Sequence, residues 1–394
     1  MRPIQIAEDI FWVGAIDWNI RDFHGYSTKQ GTTYNAYLIM DEKVTLIDTV
    51  KREFADELIS NISQIIDPKK VDYVISNHTE MDHSGGLARV MHRVGEDKPL
   101  FCSKMGHRNL PMHFRQKWNY RVVEDGGELN LGKRTLSFME TKMVHWPDSM
   151  FTYAKEDKIL FSSDGFGQHF ASMERFDDEV GDEILSHAKK YFANIVLLYS
   201  NHILKVFEKV QAIGLELDMI CPDHGIIWRK DPMKIVNAYV EWCHQKPKKK
   251  ALVIYDTMWH STEVMAETIV ESLHSEGVKA TPMHLRRWHR SDIMTEVLDA
   301  GAIIIGSPTL NNGLFPTIAD FLAYMKGLKP QNKIGAAFGS YGWSGEAVKL
   351  INRELDEMKF DIVDPGLKVN YVPDDKGLEA CHELGKKVAE AIPA

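Results

Sequence analysis

The segment His78–His83 (HTEMDH) limits the possible folds of this chain more than any other feature of its sequence. It supplies four potential metal ligands within six residues, directly after the apolar run Asp72–Ser76, and two glycines follow it. A loop that leaves a strand end can aim alternate side chains inward, so His78, Glu80 and Asp82 are predicted to converge on one point. The alternative is a polar loop that opens a helix, with one of its short polar residues as the cap.

Three later residues favour the metal interpretation. His145 in MVHWPDSM, Asp164 in LFSSDGFG and His224 in MICPDHG each stand where a strand-like run gives way to a loop. A lone histidine in such a place is more often structural than metal-binding. The joint pattern, with separations of 62, 19 and 60 residues after His83, is far less probable by chance and indicates one metal site built from several strand ends.

Composition bounds the class of protein. With 394 residues the chain is long enough for two or three domains, and 44% apolar and 26% charged residues are typical of a globular protein. No apolar run approaches the roughly 20 residues that span a bilayer. The net charge of −9 and the lack of basic tracts argue against nucleic-acid binding. We therefore expect neither a membrane nor a nucleic-acid partner.

Cysteine usage and the N-terminus predict a cytoplasmic protein. The N-terminal residues MRPIQIAEDIFWVG place acidic residues where a signal peptide has its apolar core. The cysteines lie far apart and form no CxxC pair, which excludes a rubredoxin-type iron site or a zinc ribbon on this sequence. The same spacing disfavours a disulfide framework. The four cysteines are Cys102, Cys221, Cys243 and Cys381.

The polar basic run His244–Lys250, with a proline inside it, is predicted to be a solvated linker between two domains, 1–248 and 249–394. Strand-like runs and helical patterns interleave before it, and a regular strand–helix alternation follows it. That alternation predicts an α/β domain with a doubly wound parallel sheet. The predicted strands include 43–50, 71–77, 135–140, 151–154, 158–162, 251–255, 302–306 and 333–338. The predicted helices are 53–66, 182–191, 263–276, 318–328, 345–358 and 379–392.

The segment Tyr255–Thr262 runs from a predicted strand into a predicted helix. Its hydroxyl groups and the backbone N–H groups at the helix start are suited to hold an anion. The segment lacks the GxxxxGK[ST] pattern, so a nucleoside triphosphate is not expected. The alternative is an ordinary turn with a hydroxyl as helix cap. The candidate residues are Thr257, Met258, Trp259, His260, Ser261 and Thr262.

Two further loops follow predicted strands of the same domain and are expected at the same edge of the sheet, where ligands bind in such folds. Trp343 in the second of these loops is suited to flank a flat ring. Together the three loops resemble flavodoxin, which implies FMN, with its phosphate in the first loop and its ring between the other two. The candidate residues are Ser307, Pro308, Thr309, Leu310, Asn311, Asn312, Gly339, Ser340, Tyr341, Gly342 and Trp343.

The metal motif resembles the metallo-β-lactamase superfamily, whose members place two metals on an αββα sandwich. The usual hydrolase motif HxHxDH favours zinc, whereas this chain has Glu80 at the second position. Three carboxylates, from Glu80, Asp82 and Asp164, suit iron better than zinc. HxExDH is the motif of the flavodiiron proteins (A-type flavoproteins), and GTTYNAYLI, HWPDSMFTY, HGIIWRKDP and YDTMW also resemble that family.

The resemblance implies a role for each ligand of two non-haem irons. It makes His78, Glu80 and His145 the ligands of one iron, makes Asp82 and His224 those of the other, and makes Asp164 the bridge, alongside an oxo or hydroxo group. The family is not uniform in binding metal through the residue at His83, which is therefore a ligand or a near-ligand. His24, Tyr26 and Tyr199 resemble residues that donate hydrogen bonds or protons to bound substrate, and simple packing is the alternative for each.

The resemblance further implies an electron path from an external donor to FMN, then to the diiron pair, then to O2 or NO. Rubredoxin is the usual donor of the family, and no rubredoxin segment is evident in this sequence. The family works as a head-to-tail homodimer, or as a dimer of such dimers. The cluster Arg286–Arg290 is a candidate docking patch, with a solvated basic loop as the alternative. The sequence does not rank O2 against NO.

Two other functions stay open at this point. The first is a dizinc hydrolase of the metallo-β-lactamase fold with a flavodoxin-like appendage, in which the metals activate water. The second is an electron-transfer flavoprotein whose N-terminal domain is only structural. Glu80 argues against the first.

Overall fold

The structure is a computed structural model that describes residues 2–393 and divides them into two compact units. The first unit comprises residues 2–24, 28–192 and 199–240, and the second comprises Gly25–Ser27, Ala193–Leu198 and residues 241–393. We retain the domain limits 1–248 and 249–394 as a proposal. No helix within residues 2–393 is both long enough and apolar enough to cross a bilayer.

The strands are short and numerous in the first two-thirds of the chain. Those before residue 240 are β1 Ile4–Ala7, β2 Ile10–Trp12, β3 Ala15–Asp17, β4 Asp22–Phe23, β5 Tyr26–Ser27, β6 Thr32–Tyr34, β7 Tyr37–Ile39, β8 Thr45–Ile47, β9 Tyr73–Ser76, β10 Pro99–Cys102, β11 Asn119–Val122, β12 Glu128–Asn130, β13 Thr135–Glu140, β14 Met150–Ala154, β15 Ile159–Phe161 and β16 Met219–Cys221. Those after it are β17 Lys248–Tyr255, β18 Lys279–His284, β19 Ala300–Gly306, β20 Ile334–Tyr341, β21 Asp361–Ile362 and β22 Leu367–Asn370.

The helices are α1 Ala55–Ser63, α2 Met81–Ser84, α3 Leu87–Val94, α4 Lys104–Phe114, α5 Asp177–Val180, α6 Ile184–Tyr191, α7 Ser200–Ala212, α8 Pro232–His244, α9 Ser261–Ser275, α10 Arg290–Val297, α11 Pro316–Leu328, α12 Ala347–Glu357 and α13 Asp375–Ala391. Short 3-10 turns lie at Arg52–Phe54, Pro68–Lys70 and Leu197–Tyr199, and a π turn lies at Phe192–Val196.

The first unit is a sandwich of two sheets with helices outside them. One sheet has the strand order β1-β2-β7-β8-β9-β10-β11 and the other has the order β12-β13-β14-β15-β16. Residues alternate across the first sheet because side chains of a strand point to opposite faces. Ile47 and Ile75 join the core between the two sheets, whereas Leu46 and Val74 pack with the residues of α1 and α3. The predicted αββα arrangement is confirmed.

The second unit is a parallel sheet in the order β18-β17-β19-β20-β21, with β22 also paired to β20. Val253, Ile304 and Ala336 face a core that also includes residues of α9 and α13, and the alternate residues are buried as well. The predicted doubly wound sheet is confirmed. The strand order reverses between β17 and β19, and ligands bind at such a point in this fold.

Several sequence-based boundaries were wrong. The predicted linker 244–250 is mostly regular structure, because α8 ends at His244 and β17 begins at Lys248. Lys250 is 8% exposed, and its charge is neutralised by Glu296 Oε2 at 2.6 Å and Asp299 Oδ1 at 2.7 Å. The lysine run therefore predicts a solvent-exposed segment from the sequence, although one of its lysines is buried in an ion pair.

Other differences concern strand and helix ends. The helices predicted at 53–66, 182–191 and 345–358 are shorter in the structure, and so are the strands predicted at 43–50, 71–77 and 158–162. The helices predicted at 263–276, 318–328 and 379–392 are instead longer. The strand predicted to end at Phe338 continues to Tyr341, so Gly339, Ser340 and Tyr341 are its last residues and not a loop. The strands β18, β21 and β22 and the helix α10 were not predicted. They are short or carry polar residues, which weakens their periodic pattern.

Candidate functional site

The first group of ligand-type side chains comprises His78, Glu80, His145 and Asp164. His78 leaves the end of β9, and Glu80 is the residue that begins α2. The His145 Nε2 atom lies 3.1 Å from Glu80 Oε2 and 3.1 Å from Asp164 Oδ2. The His78 Nε2 atom is 3.4 Å from each of the same two oxygens. Four side chains from three parts of the chain thus point at one small volume.

The second group comprises Asp82, His83 and His224. The His224 Nε2 atom lies 3.0 Å from Asp82 Oδ2, and the His83 Nε2 atom lies 3.3 Å from the same oxygen. The prediction that His78, Glu80 and Asp82 converge on one point was wrong, because Asp82 lies within α2 and faces the second group. His83 stands with the ligand-type atoms of this group, as a ligand or a near-ligand would.

Asp164 joins the two groups. Its Oδ2 atom faces His78 and His145, and its Oδ1 atom lies 3.1 Å from His83 Nε2 and 3.5 Å from His224 Nε2. One carboxylate with an oxygen toward each group has the geometry of a bridge between two cations. Asp164 lies in the loop after β15, and only 2% of its surface is exposed.

Two of the four histidines, His78 and His224, are held by a hydrogen bond through the other ring nitrogen, as metal-binding histidines usually are. The Nδ1 atom of His78 is 3.0 Å from Asp148 Oδ2, which also accepts a hydrogen bond from Thr79 N. The Nδ1 atom of His224 is 2.7 Å from Thr33 O. The Nδ1 atom of His83 is 3.5 Å from Asp223 Oδ2. The first two contacts fix the ring directions of His78 and His224, whereas the His83 Nδ1 atom has no hydrogen-bond partner among residues 2–393.

Sequence reasoning missed Asp148, Asp223 and Tyr191. The Tyr191 hydroxyl donates a 2.8 Å hydrogen bond to Asp164 Oδ1 from the last residue of α6. Asp148 and Asp223 could have been suspected, because they lie in the same loops as His145 and His224. Nothing in the local sequence distinguishes Tyr191 from a core aromatic residue.

The electrostatics of the centre favour cations. Burial lowers the pKa of His78, but hydrogen bonds with Asp148 and Glu80 outweigh it and raise that pKa to about 10. Burial would raise the pKa of Asp164, but the charge of His83 and the hydrogen bond with His145 hold it well below its ordinary value. Asp164 thus stays ionised and draws positive charge into a buried place.

These residues fit a pair of iron ions. Within each group the candidate donor atoms all lie within 4.8 Å of one another, a spacing that one ion can span. The Asp82 Oδ1 atom is buried and has no hydrogen-bond partner among residues 2–393. A buried carboxylate oxygen without a partner is costly unless a cation satisfies it. This ligand set of three carboxylates and four imidazoles suits iron better than zinc.

The three residues predicted to assist the reaction are placed differently. The His24 Nε2 atom is 3.5 Å from Glu80 Oε1, and 71% of the His24 side chain is exposed. Tyr26 is buried and belongs to the second unit. The Tyr199 ring packs 6.2 Å from the ring of His202. His24 thus contacts Glu80, a ligand-type residue of the first group.

A cavity of about 410 Å³ lies at the carboxyl edge of the second unit's sheet, beside the point where strand order reverses. It draws on the loops after β17 and β19, on the end of β20 and on the residues after β22. Its lining residues are Met258, Trp259, Ser261, Pro308, Thr309, Leu310, Asn311, Asn312, Ser340, Tyr341, Gly342, Trp343, Ser344, Tyr371 and Val372. The three predicted loops thus meet at one cavity.

Five predicted flavin residues do not line this cavity but shape it. The Thr262 Oγ1 atom lies 2.9 Å from Ser340 Oγ, and Ser307 Oγ accepts a hydrogen bond from Phe315 N. A Cβ atom at Gly339 would lie 2.1 Å from Ser307 O, so only glycine fits between these strands. The five are Thr257, His260, Thr262, Ser307 and Gly339. Tyr371 and Val372 were missed because β22, which positions them, was not predicted.

The cavity fits FMN. The Thr257 Oγ1 atom is buried and has no hydrogen-bond partner among the residues that the structure describes, so it can donate to a phosphate oxygen. Trp259 and Trp343 are 86% and 88% exposed. Large aromatic side chains this exposed usually contact a ligand or a partner. Both side chains line the cavity of about 410 Å³.

The cluster Arg286–Arg290 is largely engaged within its own unit. Arg286 Nε is 3.1 Å from Asp256 Oδ1, and its Nη2 atom donates to Thr257 O at 3.2 Å. Arg290 Nη1 pairs with Asp320 Oδ1 at 2.6 Å. Carboxylates thus neutralise two of the three arginines in this cluster. Docking of a donor at this cluster stays a prediction.

Two family models match the chain in the same order as the two units. The ODP family beta lactamase model matches residues 32–225, and the Flavodoxin model matches residues 253–385. The nitric oxide reductase of Moorella thermoacetica is 45% identical over 99% of this chain and 99% of its own length.

Two solved structures are similar throughout. The rubredoxin oxygen:oxidoreductase of Desulfovibrio gigas aligns with a TM-score of 0.97 at 45% identity, over 99% of this chain and 98% of that chain. The flavodiiron protein of Giardia intestinalis aligns with a TM-score of 0.94 at 35% identity, over 100% and 99%.

An αββα sandwich with two carboxylate-rich ligand groups, joined in sequence to a flavodoxin-like sheet, defines a flavin- and iron-dependent oxidoreductase. The chain belongs to the flavodiiron protein family. Its cofactors are FMN and a non-haem diiron centre. The interpretation as a dizinc hydrolase with an appendage is not favoured.

Proposed function

We propose that this flavodiiron oxidoreductase takes electrons from a rubredoxin-type donor and reduces O2 to water, NO to N2O, or both. The names of the relatives from Desulfovibrio gigas and Moorella thermoacetica support this proposal. Reduction of O2 consumes four electrons and four protons and gives two water molecules. Reduction of two NO molecules consumes two electrons and two protons and gives one N2O and one water.

When bound, FMN supplies a carrier that passes electrons singly, and the iron pair supplies the redox-active centre for the diatomic substrate. The residues proposed to hold one iron are His78, Glu80 and His145, and those proposed for the other are Asp82, His83 and His224. The observation that carries the proposal is the placement of Asp164, with one carboxylate oxygen toward each group.

The surrounding residues keep this ligand set in place without the help of the metals. Asp148 fixes the ring of His78, the backbone of Thr33 fixes that of His224, and the Tyr191 hydroxyl holds Asp164 Oδ1. Such prior orientation reduces the reorganisation needed when ions bind and change charge. The site is therefore built to hold two cations close together.

Proton supply is the other requirement, because both reactions consume protons. Glu80 and His145 are 17% and 14% exposed, so the first ligand group borders solvent. His24, which is mostly exposed and approaches Glu80, is the proposed proton donor at this opening. Tyr26 and Tyr199 stay predictions from the family resemblance.

We further propose the family's head-to-tail homodimer, alone or as a dimer of dimers, and a cytoplasmic location. The exposed rings of Trp259 and Trp343 support an assembly in which a partner covers the flavin. Sedimentation at assay concentrations would show a dimer or tetramer if the proposal is right. An active species that remains monomeric would contradict it.

The proposed activity is tested with purified holoprotein under anaerobic conditions. Metal analysis should find iron and not zinc, and the visible spectrum should show bound flavin. With reduced rubredoxin as donor, gas electrodes should record consumption of O2, NO or both. Zinc with no flavin, together with hydrolysis of an ester or thioester substrate, would support the hydrolase instead.

A further inference from the structure

A small apolar cavity lies directly behind the metal centre in the first unit. Its volume is about 10 Å³, and it is enclosed by Phe151 of β14, by Phe166, and by Ile203 and Val206 of α7, among others. No polar atom is exposed on its wall. A space of this size is at the lower limit for one water-sized molecule, so a larger guest needs the lining side chains to move, and an apolar wall offers water no hydrogen-bond partner.

The inner wall of this cavity is formed by the neighbours of two proposed ligands. Val144 directly precedes His145, and Gly165 directly follows Asp164. His145 and Asp164 both belong to the first ligand group. Two lining residues of the cavity are therefore the direct chain neighbours of two proposed ligands.

The outer wall leads toward solvent. A groove of about 520 Å³ lies on the outer face of the β12–β16 sheet, beside the last turns of α7, and it is open to solvent. Phe151 lines both the groove and the small cavity. One aromatic ring thus stands between them, and a change in its position would join the two spaces.

Glycine at 165 allows Phe151 to stand where it does. A Cβ atom added to Gly165 would lie 3.1 Å from Phe151 Cζ and 3.2 Å from Phe151 Cε1. Any side chain at this position would displace the ring toward the groove or into the cavity. The absence of a side chain at Gly165 thus leaves room for Phe151 in the position between the groove and the cavity.

The charges on the groove cancel in pairs. Lys209 Nζ lies 2.5 Å from Asp125 Oδ1, Lys155 Nζ lies 2.8 Å from Glu128 Oε1, and Lys158 pairs with Glu216. The groove therefore has no net charge to attract an ionic ligand. Its floor includes the buried side chains Met139 and Leu160, which suit an uncharged apolar molecule.

We propose that this groove, Phe151 and the small cavity form the entry route of the diatomic gas to the metal centre. The inference rests on the proposed function, because O2 and NO are small, uncharged and poorly hydrated molecules that partition into apolar spaces. Water and protons use the opposite, polar opening at Glu80, His145 and His24. The route thus separates the supply of gas from the supply of protons.

The first test is binding of xenon, an apolar probe of similar size, to crystals of the holoprotein under xenon pressure. Xenon is expected beside Phe151 in the unchanged protein. Val206→Phe should fill the cavity and abolish binding. Ala212→Phe is the matched control, because it adds the same ring to an exposed position of the same helix outside the groove lining. No xenon in the unchanged protein would overturn the route.

The second test is the rate at which pre-reduced protein reacts with O2 or NO in stopped flow. Val206→Phe should lower the second-order rate constant on the order of tenfold relative to Ala212→Phe. Phe151→Leu should keep it equal to that of the unchanged protein or raise it. Iron content, flavin content and reduction of FMN by the donor should stay the same in all three variants.

The outcomes separate the route from the proposed function. If the unchanged protein reacts with neither gas, the proposed function is wrong, whatever xenon shows. If the unchanged protein reacts and Val206→Phe excludes xenon yet reacts as fast as Ala212→Phe, the function stands and the route is overturned. A slow Val206→Phe variant with full iron and flavin supports the route.

Discussion

The metal centre and the flavin cavity are both built at strand ends, yet they are held in opposite ways. The ligand-type residues are mostly buried, and side chains such as Asp148 and Tyr191 bind them in turn. The flavin cavity is bounded by loops and by two tryptophans that are almost fully exposed. The metal centre is thus organised before it binds ions, whereas the flavin site is completed by its ligand or by a partner.

The difference predicts where each site is fragile. Changes at the metal centre disturb a network in which each group depends on the next, so their effects on metal binding should be large and coupled. Changes at the exposed flavin residues remove contacts with the cofactor but few contacts within the protein. Their effects should therefore be smaller and limited to FMN affinity.

The largest effect is expected from Asp164→Ala. Loss of the bridging carboxylate removes an oxygen from each ligand group, so binding of both irons should weaken by more than about 100-fold. Metal analysis and gas consumption measure the loss. Asp178→Asn, which removes an exposed ion pair with Arg229 in the same unit, is the control and should keep full iron content. Retention of both irons in Asp164→Ala would contradict the bridging role.

The next effect concerns the choice of metal. Glu80→His recreates the histidine pattern of the hydrolases, so the protein should take up zinc in place of iron at the first group. Glu80→Asp keeps the carboxylate and is the matched control, which should still prefer iron. Metal analysis after growth in medium with both metals distinguishes them. Equal iron content in Glu80→His and the unchanged protein would show that Glu80 does not set the metal.

A smaller effect is expected from Asp148→Asn. The asparagine keeps the size of the side chain but no longer binds the His78 Nδ1–H through a charged oxygen, so iron affinity should fall about 10- to 100-fold. Competition with an iron chelator measures this affinity. FMN content should not change. A loss of FMN together with iron would indicate general misfolding and not a local effect.

At the flavin site, Trp343→Ala should lower FMN affinity by about tenfold, or roughly 1.4 kcal/mol, because the ring no longer packs on the flavin. The melting temperature of the apoprotein should stay unchanged, since Trp343 is 88% exposed. Trp18→Ala, at a partly exposed tryptophan of the other unit, is the control. Fluorescence titration of apoprotein with FMN gives both affinities. Equal FMN affinities of Trp343→Ala and Trp18→Ala would show that Trp343 does not contribute to FMN binding.

The smallest effect is expected at Arg287. Because Arg286 and Arg290 already pair with carboxylates, reversal of Arg287 alone should slow reduction by rubredoxin by less than about threefold. Arg286→Glu should instead weaken FMN binding, since Arg286 holds Asp256 and the carbonyl of Thr257 in the first flavin loop. A large, salt-dependent decrease in the rate at which rubredoxin reduces Arg287→Glu would support donor docking at this cluster.

The sequence predicted the fold class and most of the site for a physical reason. Metal ligands such as His78 and Glu80 must be of a few residue types, and most of those here lie just after strands, so their types and spacing reveal them. Asp148 and Tyr191 act through ordinary hydrogen bonds that any polar residue in the right place could make, and spacing does not mark them. Their roles became visible only from distances.

The same distinction explains the errors in the second unit. The strand β22 has four residues with mixed polarity, so it gives no periodic signal, and Tyr371 beyond it was missed. Lys250 looks solvated in the sequence because its partners, Glu296 and Asp299, are distant along the chain. Local sequence patterns indicate local structure, whereas these features depend on contacts between residues that are far apart in the sequence.

FMN and the diiron centre of this chain are expected to act together in the reduction of a diatomic gas. Fully reduced protein, mixed anaerobically with O2 or with NO in separate stopped-flow experiments, tests it most directly. In protein that contains iron, at least one gas should reoxidise the flavin rapidly, with water or N2O as product. Flavin that reoxidises equally fast in the iron-free Asp164→Ala variant would contradict it.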